Sequence, residues 1–249
     1  HNVVPSGMDV VGDRSLHLRQ SAFAAQLDAL VRTHDVIPLA AAMSDIPVRQ
    51  SRPLAAITFD DAYSGAISAG VAELRARNLP ATVFITPSFL DGRSFWWDVL
   101  ADPRLGLDHR IRERALSEGR GLNMEVLAMA ARSGIPAHEM PPHARGASNE
   151  QLSAALQYDR ITFAAHTWSH PNLVALPDAE LAEELQRLGD VGLVLGPDVL
   201  RALVVAEVVV ALREAEAPLG DAGDHHRGVL EVDLAVEAEG RADAHGVQV

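Results

Sequence analysis

Three short apolar segments constrain the fold of this chain more than any other feature of its sequence. Residues 54–59 (LAAITF), 81–86 (ATVFIT) and 161–167 (ITFAAHT) have the length and the β-branched and aromatic content of buried strands. Helical patterns alternate with them, at residues 65–78 and 178–188. Because alternating strands and helices are typical of parallel sheets and barrels, the sequence predicts an α/β protein.

Further helices and a long loop are predicted around these strands. Residues 18–33 have the apolar spacing of a helix, and residues 108–133 have the pattern of two helices broken by glycines. Residues 136–149 are rich in proline and glycine and predict a loop. Asn149 is predicted to cap a helix that continues through Tyr158.

The composition excludes several classes of function. With 249 residues and 48% hydrophobic content, the chain can form one sizeable core, either a single α/β domain or two small ones. Cysteine is absent, which excludes disulfide and thiolate chemistry. The formal net charge of −13 argues against a nucleic-acid-binding surface. No apolar run has the length of a transmembrane helix, and the sequence leaves the localisation open.

Two adjacent carboxylates, Asp60 and Asp61, directly follow the first predicted strand. Like charges side by side repel, and burying them is unfavourable. A turn or a helix cap accounts for many such pairs. A divalent cation also accounts for this one, because its charge offsets the repulsion between the carboxylates.

Two histidines, His166 and His170, follow the third predicted strand and lie four residues apart. One helical turn or a tight loop with this spacing aims both imidazoles at one point, although many such pairs are only solvated or structural. The carboxyl ends of parallel strands meet at one face, so we expect the histidines near Asp60 and Asp61. Two imidazoles and one carboxylate form a catalytic site for zinc or a similar divalent ion. One aspartate would bind the metal, and the other would accept a proton from water.

The same residues resemble the motifs of a known family. Residues 58–63 (TFDDAY) and 166–173 (HTWSHPNL) are similar to the TFDDG(Y/F) and H-(S/T)-x-x-H motifs of the polysaccharide deacetylases, the NodB-like carbohydrate esterases. The helix before the first motif, the strand after it and the FWWD sequence at residues 95–98 extend the resemblance. It covers residues 1–187.

The resemblance implies a fold, a reaction and a set of roles. The implied fold is a distorted (β/α) barrel, here expected to be incomplete at both ends, and the implied reaction removes acetyl groups from a carbohydrate. Asp60 becomes the general base, and the ligands of a divalent metal ion, expected to be zinc, become Asp61, His166 and His170. The implied partner is an acetylated polysaccharide or oligosaccharide, whose binding residues the sequence does not identify.

The chain departs from the family pattern at three places. Ala62 stands where the family usually has glycine, which is unfavourable by about 1 kcal/mol or more if that position requires a positive φ. The family's first strand lies just upstream of a Tyr-His pair that His1 matches, so we expect that strand to be missing. The family's later motifs, Arg-Pro-Tyr and the Leu-x-His that supplies the general acid, have no counterpart after the second motif, since His225, His226 and His245 do not fit them.

Residues 188–249 form an anomalous tail rich in alanine and valine. After Asn172 the chain contains only ten residue types, and all ten are encoded by codons that begin with G or C. A GC-rich gene that is translated in a shifted frame produces this composition. We therefore divide the chain into a partial deacetylase-like domain at residues 1–187 and a tail that we interpret as an out-of-frame translation. The alternative is a genuine Ala/Val-rich domain or linker.

Three hypotheses for the function remain. The first is a metal-dependent hydrolase that removes acetyl groups from a polysaccharide or oligosaccharide. The second is a truncated, non-catalytic remnant that binds metal or glycan without turnover, and the missing general acid favours it. The third is a different metal hydrolase that acts on small amides or on phosphate esters.

Overall fold

Seven strands pair in three parallel groups within residues 1–43 and 52–189, which are the residues that the computed structural model describes. β1 (Asn2–Val4) pairs with β2 (His17–Arg19), and β3 (Asp35–Val36) pairs with β4 (Leu54–Ala55). The third group is a three-stranded sheet in the order β5 (Thr58–Phe59), β6 (Ala81–Ile85) and β7 (Ile161–Ala165). These parallel strands give the chain the α/β class that its sequence predicts. The described residues form no closed barrel, so that part of the prediction is not confirmed.

Helices connect the strands, and their bounds are close to those predicted from the apolar spacing. The α-helices are α1 (Gln20–Thr33), α2 (Leu39–Ala42), α3 (Val71–Ala76), α4 (Trp96–Val99), α5 (His109–Ser117), α6 (Asn123–Arg132), α7 (Asn149–Ala155) and α8 (Asp178–Gly189). A π-helical turn at Ala66–Gly70 precedes α3, and 3-10 turns lie at Pro87–Phe89, Pro142–Ala144 and Leu173–Ala175. None of the helices described is long and apolar enough to cross a membrane.

The predicted strand at residues 54–59 is two strands that pair with different partners. The first half, β4, pairs with β3, and the second half, β5, pairs with β6. Between them the carbonyl oxygen of Ile57 already accepts a hydrogen bond from the backbone N–H of Thr82, at 3.0 Å. The chain therefore changes partner within one apolar run, which a periodicity argument cannot detect.

The N-terminus of α7 is capped by a different residue from the one predicted. The Ser148 hydroxyl accepts from the backbone N–H of Gln151 at 3.3 Å, and the Gln151 side chain accepts from the Ser148 N–H at 2.9 Å. This reciprocal pair is a capping box, which satisfies two donors at the helix start. Asn149 is the first residue of the helix and not its cap.

The register of the three-stranded sheet brings the segments that follow its strands to one edge. Phe59 is paired with Val83, and Val83 is paired with Phe163. All three side chains are buried, and Phe23 of α1 packs against Phe59 with ring centroids 5.6 Å apart. Burial of such a side chain contributes about 1.5–3 kcal/mol, so the pairing register is strongly specified. The residues after β5 and after β7 are thereby held close together.

The predicted domain boundary at Leu188 falls in the last turn of α8. Residues 190–249, which include almost all of the anomalous tail, lie outside the described residues. His225, His226 and His245 lie there too. The interpretation of the tail as an out-of-frame translation stays a prediction.

Candidate metal centre

The structure brings together three of the side chains singled out in the sequence. One ligand atom each from Asp61, His166 and His170 lies within 4.8 Å of the other two. The Asp61 Oδ1 atom is 3.6 Å from the His170 Nε2 atom and 4.0 Å from the His166 Nε2 atom. The two imidazole rings are 5.0 Å apart and nearly perpendicular, at 62°. The three groups therefore surround one point between them.

The Asp61 carboxylate is buried. Its side chain is 1% exposed, and neither carboxylate oxygen has a hydrogen-bond partner among the residues that the structure describes. An isolated buried carboxylate is very unfavourable unless a cation or hydrogen-bond donors compensate for its charge. A carboxylate and two imidazoles with free ring nitrogens fit a divalent cation such as zinc. The donor set and the unpaired oxygens thus agree with the metal site predicted from the sequence, while the ligand roles stay a prediction.

The backbone around Asp61 adopts a conformation that ordinary residues seldom adopt. Asp61 has φ 67° and Ala62 has φ 53°, both in the left-handed region. Ala62 is the residue that replaces the family's usual glycine, so the positive φ considered from the sequence is present here. The left-handed turn directs the Asp61 side chain into the interior next to the histidines, and strain of this kind persists at sites that need it.

The two histidines lie on a loop rather than on a helix. His166 is the first residue after β7, and its backbone N–H donates to the Ile85 carbonyl oxygen at 2.9 Å. Thr167 and His170 both have positive φ, at 58° and 54°. The Thr167 hydroxyl oxygen accepts from the His170 N–H at 3.1 Å, which closes the loop. A tight turn, and not a helical turn, therefore brings the two histidines, four residues apart in sequence, close together.

Asp60, the predicted general base, is not one of the three converging groups. Its side chain is 15% exposed, and its Oδ2 atom is 3.6 Å from the Nε2 atom of His1. The residue is thus partly accessible to solvent, whereas its neighbour Asp61 is buried. Two adjacent carboxylates in one turn therefore have different surroundings. The contact with His1 was not anticipated from the sequence.

A buried polar network behind the site was also missed. Asp98 is fully buried and accepts hydrogen bonds from the Tyr63 hydroxyl at 2.7 Å and from the Asp13 N–H at 2.9 Å. It also bonds the His17 ring nitrogen Nε2 at 2.8 Å. Burial and the charges of the Asp98 and Asp61 carboxylates raise the pKa of Tyr63 well above its ordinary value, so its hydroxyl keeps its proton and donates. The FWWD sequence contains Asp98, but its pattern gives no sign of these partners.

The network reaches the candidate ligands through Trp97. The Trp97 indole N–H donates to the Tyr63 hydroxyl oxygen at 2.7 Å, and its ring centroid is 4.9 Å from that of His170. Trp96 and Trp97 are both buried, which assigns them to packing. Tyr63 and Trp97 therefore connect the turn that carries Asp61 with the ring of His170.

The chemical capacity of this arrangement is hydrolysis. A divalent cation held by Asp61 and the two histidines would leave coordination positions open, as in catalytic rather than structural zinc sites. The next residue along the chain, Asp60, supplies a second and partly exposed carboxylate, which is a group type that transfers protons in hydrolytic enzymes.

The chain matches one known protein family and is similar to several solved structures. Residues 48–191, more than half of the chain, match the family described as polysaccharide deacetylase. Among solved structures, the chain is similar to IcaB from Ammonifex degensii, with 15% identity and a TM-score of 0.45 over 78% of this chain and 69% of that one. It is also similar to the Streptococcus pyogenes deacetylase PplD in complex with acetate, with 15% identity and a TM-score of 0.44 over 78% and 68% of the two chains.

No curated protein sequence matches the chain. The family match nevertheless includes both aspartates and both histidines of the candidate site. On that match, the chain belongs to the polysaccharide deacetylase family.

Proposed function

We propose that this protein is a metal-dependent hydrolase that removes acetyl groups from a polysaccharide or oligosaccharide. Membership of the polysaccharide deacetylase family supports deacetylation of a carbohydrate. The observation that carries the metal dependence is the buried Asp61 carboxylate. Within the described part of the chain neither of its oxygens has a hydrogen-bond partner, and its Oδ1 atom lies 3.6 and 4.0 Å from the Nε2 atoms of His170 and His166. A cation would remove the electrostatic cost of that carboxylate.

Each side chain has a distinct role in this proposal. Asp61, His166 and His170 hold the cation, which supplies Lewis-acid chemistry by polarising an acyl carbonyl and increasing the acidity of water. Asp60 accepts the proton of the attacking water, because it is the carboxylate next to Asp61 in sequence and its side chain keeps some access to solvent. Tyr63 and Trp97 hold the Asp61 turn and the His170 ring in place.

The non-catalytic remnant remains the second candidate. After the second motif, the sequence contains no Leu-x-His, the later motif that supplies a general acid in the family. Among the residues that the structure describes, Asp61, His166 and His170 are the one group of three potential ligands, and no further histidine joins them. A remnant would bind the cation and release no acetate.

An acetate-release assay on N- and O-acetylated oligosaccharides tests the proposal with the full chain. We expect zinc-dependent release of acetate that a chelator abolishes and added zinc restores. The Asp61→Asn variant should be inactive, and Asp159→Asn should match the wild type. Asp159 is a suitable control because it is exposed and precedes β7, at the opposite end of that strand from His166.

The outcomes separate the three hypotheses. Zinc binding by calorimetry without acetate release would favour the remnant. Hydrolysis of small amides or phosphate esters without release of sugar-bound acetate would favour a different metal hydrolase. A wild-type chain that binds no zinc would overturn the proposed metal site itself.

A further inference from the structure

A buried acid on α8 lies directly beneath the loop that carries the two histidines. Glu184 is 8% exposed, and its Oε2 atom accepts from the backbone N–H groups of Trp168 and Ser169, at 3.0 and 2.9 Å. Its Oε1 atom accepts from the Ser169 hydroxyl at 2.5 Å. All three donors belong to Trp168 and Ser169, two of the three residues between His166 and His170.

No cation among the described residues forms an ion pair with Glu184. Two other acids of this helix do pair with cations: Glu183 pairs with Arg187, and Glu180 pairs with Arg120. A carboxylate removed from water requires compensation, and here it comes from hydrogen-bond donors of a single loop. The hydrogen bonds of the Glu184 carboxylate therefore all go to that loop.

The loop needs such support because its backbone is strained. Thr167, a β-branched residue, and His170 both adopt positive φ, a conformation that costs of order 1–3 kcal/mol for each residue. On the side of β6, the loop is held by the Thr86 hydroxyl, which donates to the His166 carbonyl oxygen at 3.2 Å, and by the Ser88 N–H, which donates to the Trp168 carbonyl oxygen at 3.0 Å. Glu184 accepts hydrogen bonds from the N–H groups of the same loop and approaches it from α8.

We propose that Glu184 is a positioning residue for the metal centre: through Trp168 and Ser169 it fixes the turn that aims His166 and His170 at the point shared with Asp61. This inference rests on the proposed function, because it assumes that the two histidines bind a cation. Outer groups that orient metal ligands typically change metal affinity by about 10–100-fold when they are removed. Glu184 forms no hydrogen bond with any of the three candidate ligands, so its proposed effect on them acts through the loop.

The matched pair Glu184→Gln and Glu183→Gln tests the proposal. Both variants remove one charge from α8 at neighbouring positions, but only the first weakens the acceptor of the two loop N–H groups, because a neutral amide oxygen accepts more weakly than a carboxylate. We expect Glu184→Gln to weaken zinc binding by about 10–100-fold in calorimetry with a competing chelator. Glu183→Gln should bind zinc as the wild type does.

A second measurement reports on the loop without any metal. Hydrogen–deuterium exchange of the Trp168 and Ser169 amides in the metal-free protein should be faster in Glu184→Gln and unchanged in Glu183→Gln. Ser169→Ala removes one donor and keeps the carboxylate, so it should weaken zinc binding less than Glu184→Gln does. If Glu184→Gln does not fold, Ser169→Ala decides, and unchanged zinc affinity in that variant overturns the proposal.

The outcomes distinguish this proposal from the one on which it rests. If the wild type binds no zinc, the metal site is wrong, and unchanged amide exchange in Glu184→Gln would refute the support of the loop as well. If the wild type binds zinc and Glu184→Gln binds it equally tightly, Glu184 has no positioning role, whatever its effect on amide exchange.

Discussion

The ring of Trp97 packs against the ring of His170, with the two centroids 4.9 Å apart and the planes inclined by 59°. The indole N–H of Trp97 donates a hydrogen bond to the Tyr63 hydroxyl oxygen. Tyr63 lies two residues after the candidate ligand Asp61 in the sequence. One aromatic side chain thus contacts groups on both sides of the candidate metal centre. Its position explains why the FWWD segment belongs to the site although none of its side chains is a candidate ligand.

Replacement of Asp60 with asparagine should separate catalysis from metal binding. Removal of a general base typically lowers the rate by about 10²–10⁴-fold. Asp60 is not among the three groups that converge, so zinc affinity should be retained. Measurement of kcat alongside zinc calorimetry checks both expectations, with Asp159→Asn as the control. Equal rates for the wild type and Asp60→Asn would show that Asp60 is not the base.

Replacement of Asp61 with asparagine should have opposite effects on stability with and without metal. In the metal-free protein the variant should be more stable by at least about 1 kcal/mol, because it removes a buried, unpaired charge. Zinc at a hundred times its dissociation constant should stabilise the wild type by about 2.7 kcal/mol and leave the variant unchanged. Chemical unfolding at pH 8, with a chelator or with zinc, measures these differences. Equal stabilisation of both proteins by zinc would exclude Asp61 as a ligand.

Replacement of Tyr63 with phenylalanine should be more destabilising than the same change at Tyr158. The Tyr63 hydroxyl serves two buried partners, a carboxylate and an indole N–H, and both would lose their hydrogen bond. The expected loss in free energy of unfolding is about 2–3 kcal/mol. The Tyr158 hydroxyl donates only to the Leu79 carbonyl oxygen, at 3.1 Å, so about 1 kcal/mol is expected there. Equal losses would mean that the Asp98 network adds nothing to stability.

The contact between α1 and α3 should make stability depend on acid pH. Hydrogen bonds from Gln20 and then Arg77 lower the pKa of Glu73 below its usual value of 4.5. The unfolded chain therefore binds a proton at higher pH than the folded chain, so this contribution is complete above the usual value and is lost as the pH falls through the lower, folded-state value. Urea unfolding between pH 3 and 6 should show a weaker pH dependence for Glu73→Gln than for the wild type. An unchanged profile would contradict this assignment.

The nucleotide sequence downstream of codon 188 tests the interpretation of the tail. If residues 188–249 are translated out of frame, one of the other two forward frames should encode aromatic-containing sequence with a Leu-x-His motif. That motif would supply the general acid that the chain lacks. Two frames without such a sequence would favour the genuine Ala/Val-rich segment.

Much of the sheet could be predicted from sequence because its strands are buried and short. The segments at 81–86 and 161–167 have no competing helical pattern, and their pairing follows from the alternation with helices. The segment at 54–59 was predicted as one strand because an apolar run shows no sign of a change in pairing partner. Burial is encoded locally, whereas the choice of neighbour depends on the rest of the fold.

The candidate ligands were identifiable because strand ends and residue types coincide in the sequence. The sequence gives a weaker indication that Glu184 is buried. This residue lies three positions after Leu181 and four before Leu188, where the apolar stripe of the helix predicts an apolar residue. The sequence gives no such indication for Asp98 and His17. Each lies among ordinary apolar residues, and the hydrogen bond between them forms only in the folded chain. Partners that are distant in sequence cannot be inferred from either position alone.

The central position of β6 has a consequence for the order of folding. Asp61 follows one outer strand of the sheet and His166 follows the other, so the site forms only when both have paired with β6. Pairing of β7 closes the longest loop between neighbouring strands of this sheet, and long-range closure of this kind is slow. A cation held at this edge would connect the segment that follows β5 with the segment that follows β7. The rate of metal binding during refolding would therefore report the rate at which β7 pairs with β6, and it would not report the formation of a helix.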